Sequence, residues 1–142
     1  MESRFWEAKP GRTLVGRLAT YTDLVEEIER VCAERDIRAA WVSVVGAVRR
    51  AAYAYYDQRQ RRYQDLGSEA HHEITGFIGN ISMRDGKQFL HAHASFSDES
   101  GATVGGHLIP GCTVWVAEVT LREMTGVELE RTPDEVTGLA LW

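Results

Sequence analysis

Apolar and polar residues alternate along most of this chain, and one stretch departs from that rhythm. Between Thr22 and Arg35, the residues Leu24, Val25, Ile28, Val31 and Cys32 recur at the i, i+1, i+4, i+7, i+8 spacing, a single apolar stripe on an α-helix. Glu26, Glu27, Glu29, Arg30, Glu34 and Arg35 cover the other face, so the stripe reads as core. Thr22 or Asp23 is the natural N-cap, and the following glutamates suit the positive helix end. Ahead of the helix, Arg12 to Thr20 reads as a strand. Behind it everything reads as strand and turn. Ala39–Val45 runs to Gly46, Ala51–Tyr56 and Arg61–Leu66 flank a polar turn, and His72–Met83, Gln88–Ser97, Ala102–Leu108 and Thr113–Glu123 follow, with Asp85-Gly86 as a tight turn. Val127–Glu130 alternates as well, and Pro133-Asp134 turns the chain before Leu139–Trp142. The expected class is α+β: a mostly antiparallel β-sheet packed with one main amphipathic helix.

The length of 142 residues fits one domain spanning residues 1–142, long enough to bury a core without staples. Cys32 and Cys112 lie in apolar patterns far apart and without CxxC spacing, which reads as buried thiols of a reducing compartment. The N-terminal residues carry no apolar run of signal-peptide type and no segment approaches a membrane span, so a cytoplasmic protein is expected.

The net charge of −5 lacks the basic footprint of a duplex-binding domain. One local exception is the segment holding Arg49, Arg50, Arg59, Arg61 and Arg62, interleaved with Tyr53, Tyr55, Tyr56 and Tyr63. It is either a nucleic-acid surface or a solvated hairpin whose arginines pair with acids elsewhere; the acidic total favours the hairpin.

The residues that carry chemistry are concentrated in Leu90-His91-Ala92-His93 and Gly105-Gly106-His107, which together hold three of the five histidines. On a strand, His91 and His93 point to the same face. A turn at Ser97–Gly101 folds His107 back beside them. Two imidazoles from one strand and one from its neighbour form an open facial triad of the kind that holds a divalent transition metal, zinc by preference. The competing reading is a polar strand face satisfied by hydrogen bonds or water. Gly105 and Gly106, two bare residues before the third histidine, point to a close backbone approach by another segment, a second subunit or a bound molecule. Glu118, the one acid in an apolar strand, and Glu73 are candidates to orient an imidazole or to supply a ligand.

The order and spacing of Gly79-Asn80-Ile81-Ser82, Asp85-Gly86, His91-Ala92-His93, Gly105-Gly106-His107-Leu108, Gly111 and Ala117-Glu118-Val119 resemble the PPC domain, the "plants and prokaryotes conserved" domain. The likeness runs from about Arg12 to the C-terminus. His72-Glu73-Ile74 falls where plant members carry R-F-E-I-L, with His72 at the phenylalanine position, and no Arg-Gly-Arg-Pro hook is present. The resemblance implies a homotrimer with a metal-capable histidine cluster, acting as a binding module associated with DNA or regulation. The other function in view is a metal-dependent small-molecule enzyme, in which the open site makes a hydroxide and Glu73 or Glu118 shuttles protons.

Overall fold

The computed structural model describes residues 3–142. Its elements run β1 (Lys9–Arg17), α1 (Leu24–Glu34), β2 (Ala40–Asp57), β3 (Arg62–Ser68), β4 (His72–Arg84), β5 (Lys87–Ser97), β6 (Thr103–Leu108) and β7 (Thr113–Thr125), then the short pair β8 (Thr132–Pro133) and β9 (Ala140–Leu141). The main sheet has the order β1-β7-β2-β4-β5-β6, every pairing antiparallel, with β3 also on β2. The fold is therefore a mostly antiparallel sheet with a single short helix.

Alternation decides which face each strand buries. In β5, Leu90, Ala92, Ala94 and Phe96 join the core, and they meet Ile81 of β4, Val42, Val44 and Val48 of β2, and Val114, Ala117, Val119 and Leu121 of β7. The helix covers this inner face with Leu24, Ile28 and Cys32, all buried. Fully burying a leucine or isoleucine contributes about 1.5–3 kcal/mol. Asp23 is the N-cap: its Oδ1 accepts from the N–H groups of Val25 and Glu26. Its other oxygen accepts from Gly111 N–H, which ties the helix start to the turn after β6. From the helix body, Glu29 accepts from Leu90 N–H at 2.8 Å, anchoring β5 beside His91.

Three expectations need correction. β1 begins earlier than Arg12 because Lys9 and Pro10 pair with Thr125 and Met124, and it ends at Arg17, ahead of the turn into the helix. The two segments read as separate strands around Gly46 are one 18-residue strand, β2. Gly46 does not end it; a Cβ there would overlap the Val116 carbonyl oxygen, so the glycine lets β7 come close. Val127–Glu130 is no strand, and only Glu130 makes a bridge, to Met83.

The length of β2 closes the architecture. Its first half pairs with β4 and β7. Further on it pairs with β3 on one side and, at Tyr53 and Ala54, with Leu108 and His107 of β6 on the other. Strands β2, β4, β5 and β6 therefore form a ring. Among the described residues, no helix is long and apolar enough to cross a membrane. Cys32 and Cys112 are free and buried.

Candidate metal centre

The alternation that sends Leu90, Ala92 and Ala94 inward leaves His91 and His93 on the opposite face of β5. The β5–β6 turn then sets the register. Asp98 Oδ1 accepts from the N–H groups of Ser100 and Ala102, and Gly101 takes the left-handed conformation with φ +83°. The result is His107 directly opposite His93. Lateral rows follow: Trp41–Asn80–His91 across β2, β4 and β5, and Ile78–His93–His107 across β4, β5 and β6.

The three imidazoles form a near-equilateral group, with ring centroids 5.2, 5.4 and 5.6 Å apart. One ligand nitrogen from each ring lies within 4.8 Å of the other two. A tetrahedral metal with nitrogen ligands at about 2.05 Å holds them about 3.3 Å apart, so small side-chain rotations close the set. His107 Nδ1 is buried and has no hydrogen-bond partner. An orphaned buried nitrogen costs free energy that a metal or a proton donor would recover. This site therefore fits a metal by both geometry and donor chemistry.

Burial is the main cause that pushes His91 and His107 down to about 4; the charge of Arg131 and the neighbouring histidines add to it. Both rings are thus neutral at pH 7, the form that ligates. Tyr63 of β3 stacks on His107, with centroids 4.7 Å apart and planes 29° from parallel. Arg131 donates from Nη2 to Asn80 Oδ1 at 3.1 Å and approaches His91 Nδ1 at 3.4 Å. A depression of about 230 Å³ opens over His91 and His93, bounded by Trp41, Ile78 and Asn80.

The two glycines before His107 are required by space. A Cβ on Gly105 would overlap the Ala94 carbonyl oxygen, and one on Gly106 would stand 2.6 Å from the Ala54 carbonyl oxygen. The approaching segments are β5 and β2 of the same chain, the two neighbours of β6.

The carboxylates named with the histidines stand elsewhere. Glu118 is exposed on β7 between Arg17 and Val45, and Glu73 is exposed on β4 between Ala47 and Ser97. Neither joins the group of converging ligand atoms. The reason is strand order, since β2 and β4 lie between β7 and β5, and Glu73 lies near the other end of β4 from Asn80.

The arginine-rich segment does not form one face either. Arg49 lies over the rings of Tyr21 and Trp115, at 5.6 and 5.5 Å. Arg50 pairs with Glu69 at 2.7 Å and donates to Gly111 O. Arg59, Arg61 and Arg62 sit at the β2–β3 turn, about 20 Å further along the strand, where Arg61 donates to Glu135 O. Tyr63, Asn80 and Arg131 were not identified by sequence reasoning as neighbours of the histidines. Asn80 lies in the motif that carries the resemblance, whereas a single arginine in the C-terminal tail gives no signal.

Residues 6–125 match the model of the Plants and Prokaryotes Conserved (PCC) domain. Among solved structures, the chain is similar to a metal-containing protein from Archaeoglobus fulgidus, with 38% identity and a TM-score of 0.94 over 99% of both chains. It is also similar to a plant- and prokaryote-conserved (PPC) protein from Pyrococcus horikoshii, with 32% identity and a TM-score of 0.93 over 99% of this chain and 96% of that one. A structure from Ralstonia eutropha, described as a candidate DNA-binding protein, shares the fold at 22% identity and a TM-score of 0.81, over 89% of this chain and 88% of that one. Among curated proteins, a bifunctional protein GlmU from a Synechococcus species is 33% identical over 124 residues, 86% of this chain and 19% of that protein. The chain thus spans about a fifth of the length of the curated relatives it matches. By the family match and by its likeness to these structures, this chain belongs to the Plants and Prokaryotes Conserved domain family.

Proposed function

We propose that this chain is a homotrimeric, cytoplasmic binding module in which His91, His93 and His107 hold a divalent transition metal, zinc by preference. The observation that carries the reading is the convergence of three imidazole nitrogens within 4.8 Å, one ring of which leaves a buried Nδ1 unpaired. The metal-containing relative from Archaeoglobus fulgidus supports it. Three histidines leave one tetrahedral position for water or a ligand, and a metal bound there would supply a Lewis acid or a labile coordination site. The chain's own part is to present neutral imidazoles from paired strands, with Tyr63 stacked on His107 to fix that ring.

Association into a trimer draws support from the sheet face opposite the helix, where Trp41, Val45 and Ile78 are exposed. All four tryptophans, Trp6, Trp41, Trp115 and Trp142, remain between 41% and 49% exposed, and a second copy would bury such side chains. Three copies of one surface would multiply weak contacts to a partner. DNA is the less favoured partner, because the net charge is −5 and the arginines are divided. The enzyme reading is weakened by the absence of either named carboxylate from the histidine group.

Elemental analysis of the purified protein tests the metal, with one transition-metal ion per chain expected and none after His91→Ala or His107→Ala; unchanged metal in those variants refutes the site. Sedimentation tests the assembly, with about three times the 16.0 kDa chain mass expected and a monomer at micromolar concentration contradicting it. DNA binding would weaken steeply with salt, and its absence at low salt removes that partner.

A further inference from the structure

Among the described residues, the positive charge of Arg131 beside the three histidines meets no counter-charge. Arg131 is 7% exposed, yet every acceptor it meets is neutral. Its Nε donates to Ser82 Oγ at 2.7 Å, Nη1 to Ala140 O at 3.0 Å, and Nη2 to Asn80 Oδ1 at 3.1 Å. The fourth contact, to His91 Nδ1 at 3.4 Å, is the longest and weakest of the set. Among the described residues, no carboxylate lies within 4.0 Å of this guanidinium. The Phe89 ring carries Arg131 on it at 5.3 Å and Arg84 at 5.1 Å. Arg84 is a like charge that adds to the imbalance, and the exposed Asp85 beside it pairs with Arg84 rather than with Arg131.

A buried guanidinium cannot give up its proton, and without an anion it is costly to keep. Imidazole ligands make the imbalance larger. Three neutral rings bring no negative charge to a divalent ion, and neither Glu73 nor Glu118 is near enough to do so. A loaded centre would therefore set a divalent cation beside an unpaired arginine in a partly buried site. One kind of ligand satisfies both, an oxyanion with one oxygen for the metal's open position and another for the guanidinium fork.

We propose that this centre binds a small molecule through a carboxylate or phosphate group shared between the metal held by His91, His93 and His107 and the side chain of Arg131. The proposal rests on the metal reading above and adds the chemical class of the ligand. The contact given up is the long one to His91. Arg131 lies beyond the residues 6–125 that match the family model, in the tail that runs along the end of β4, where Arg131 N–H donates to Met83 O and Met83 N–H donates to Leu129 O. A purely structural role for Arg131 is the competing account: its bonds to Ser82, Asn80 and Ala140 would merely clasp that tail.

The test uses the full chain, stripped with chelator and loaded with cobalt(II), whose visible absorption reports the ligands of the metal. Acetate and inorganic phosphate are titrated separately, and cobalt affinity is measured with and without each. The expected result is a saturable spectral change and a cobalt affinity raised about tenfold by the anion. Arg131→Met should still bind one cobalt per chain, but with the anion effect lost. Arg131→Lys keeps the charge without the fork and should retain an intermediate effect, which covers the case in which the methionine variant does not fold. A response to acetate alone assigns a carboxylate, and a response to phosphate alone assigns a phosphate group. Cobalt binding that neither anion perturbs, or an anion response unchanged in both variants, overturns the proposal while leaving the metal site standing. Failure to bind cobalt at all overturns the metal reading and this proposal with it.

Discussion

The chain's five histidines fall in two groups, and the two are built differently. His71 and His72 are adjacent, His71 just ahead of β4 and His72 its first residue, and they do not converge. His71 is exposed, while His72 is buried, meets Phe96 edge-on at 6.4 Å, and shares a hydrogen bond at 2.7 Å between its Nδ1 and Ala70 O. His91, His93 and His107 alternate or face one another across a strand pair, so all three converge, and one of their nitrogens is buried without a partner. Each group borders a cleft: one of about 430 Å³ at His71 and His72, lined also by Arg49, Glu73 and Asp98, and one of about 700 Å³ at His93, lined also by Ile78, Gly105 and Gly106. The difference teaches that a cleft by itself does not mark a ligand site here. Convergence together with an unmet hydrogen-bonding demand does.

The comparison breaks most easily on metal-dependent stability. Zinc at a hundred times its dissociation constant should stabilise the chelator-stripped protein by about 2.7 kcal/mol. Thermal unfolding should show that increment lost in His107→Ala but kept in His72→Ala, which lowers baseline stability alone. The next effect concerns what holds β6 against its neighbours. Gly106→Ala drives a methyl group toward the Ala54 carbonyl oxygen and should cost about 1–3 kcal/mol in urea unfolding. Gly16→Ala, where nothing lies within 4 Å, should change stability by less than about 0.5 kcal/mol.

A smaller effect follows from titration. His91 and His107 sit at about 4 in the folded chain, below the ordinary value of 6.5, so the unfolded chain takes up protons first as pH falls. The metal-free protein should therefore hold this stability above about pH 6.5 and lose it progressively toward pH 4. The loss should be on the order of 1 kcal/mol per histidine once partial exposure is discounted. Urea unfolding at several pH values checks it, and the slope should flatten in a variant with both residues replaced by glutamine. Smallest is Tyr63→Leu, which removes the ring stacked on His107. It should cost about 0.5–1.5 kcal/mol and leave metal stoichiometry unchanged, so a loss of metal there would make Tyr63 part of the centre.

How much of this was legible in the sequence depends on the range of the interaction. The shared face of His91 and His93 is a period-two property, readable without any partner. His107 could be placed because Asp98, Ser100 and Gly101 make a short turn that fixes the β5–β6 register. The helix could be read from its own stripe. What escaped depends on long-range pairing. Gly46 looks like a stop until β7 lies against it, and Glu118 looks buried until its strand is found facing Arg17 with its outer side exposed. The tyrosines beside the arginines left a nucleic-acid surface open next to the favoured hairpin; Tyr56 packs at a tilt against Tyr63, and Tyr63 stacks on His107. Arg131 reaches Asn80 and His91 across a long loop closure that local pattern cannot anticipate.

The central claim is that three particular imidazoles hold one metal ion. Isothermal titration of the chelator-stripped chain with zinc tests it most directly, with wild type, His93→Ala, His107→Ala and His72→Ala run side by side. The account predicts one zinc per chain for wild type and His72→Ala, and no saturable binding at that site for the other two. Equal binding by all four proteins, or loss in His72→Ala with retention in His107→Ala, would contradict it.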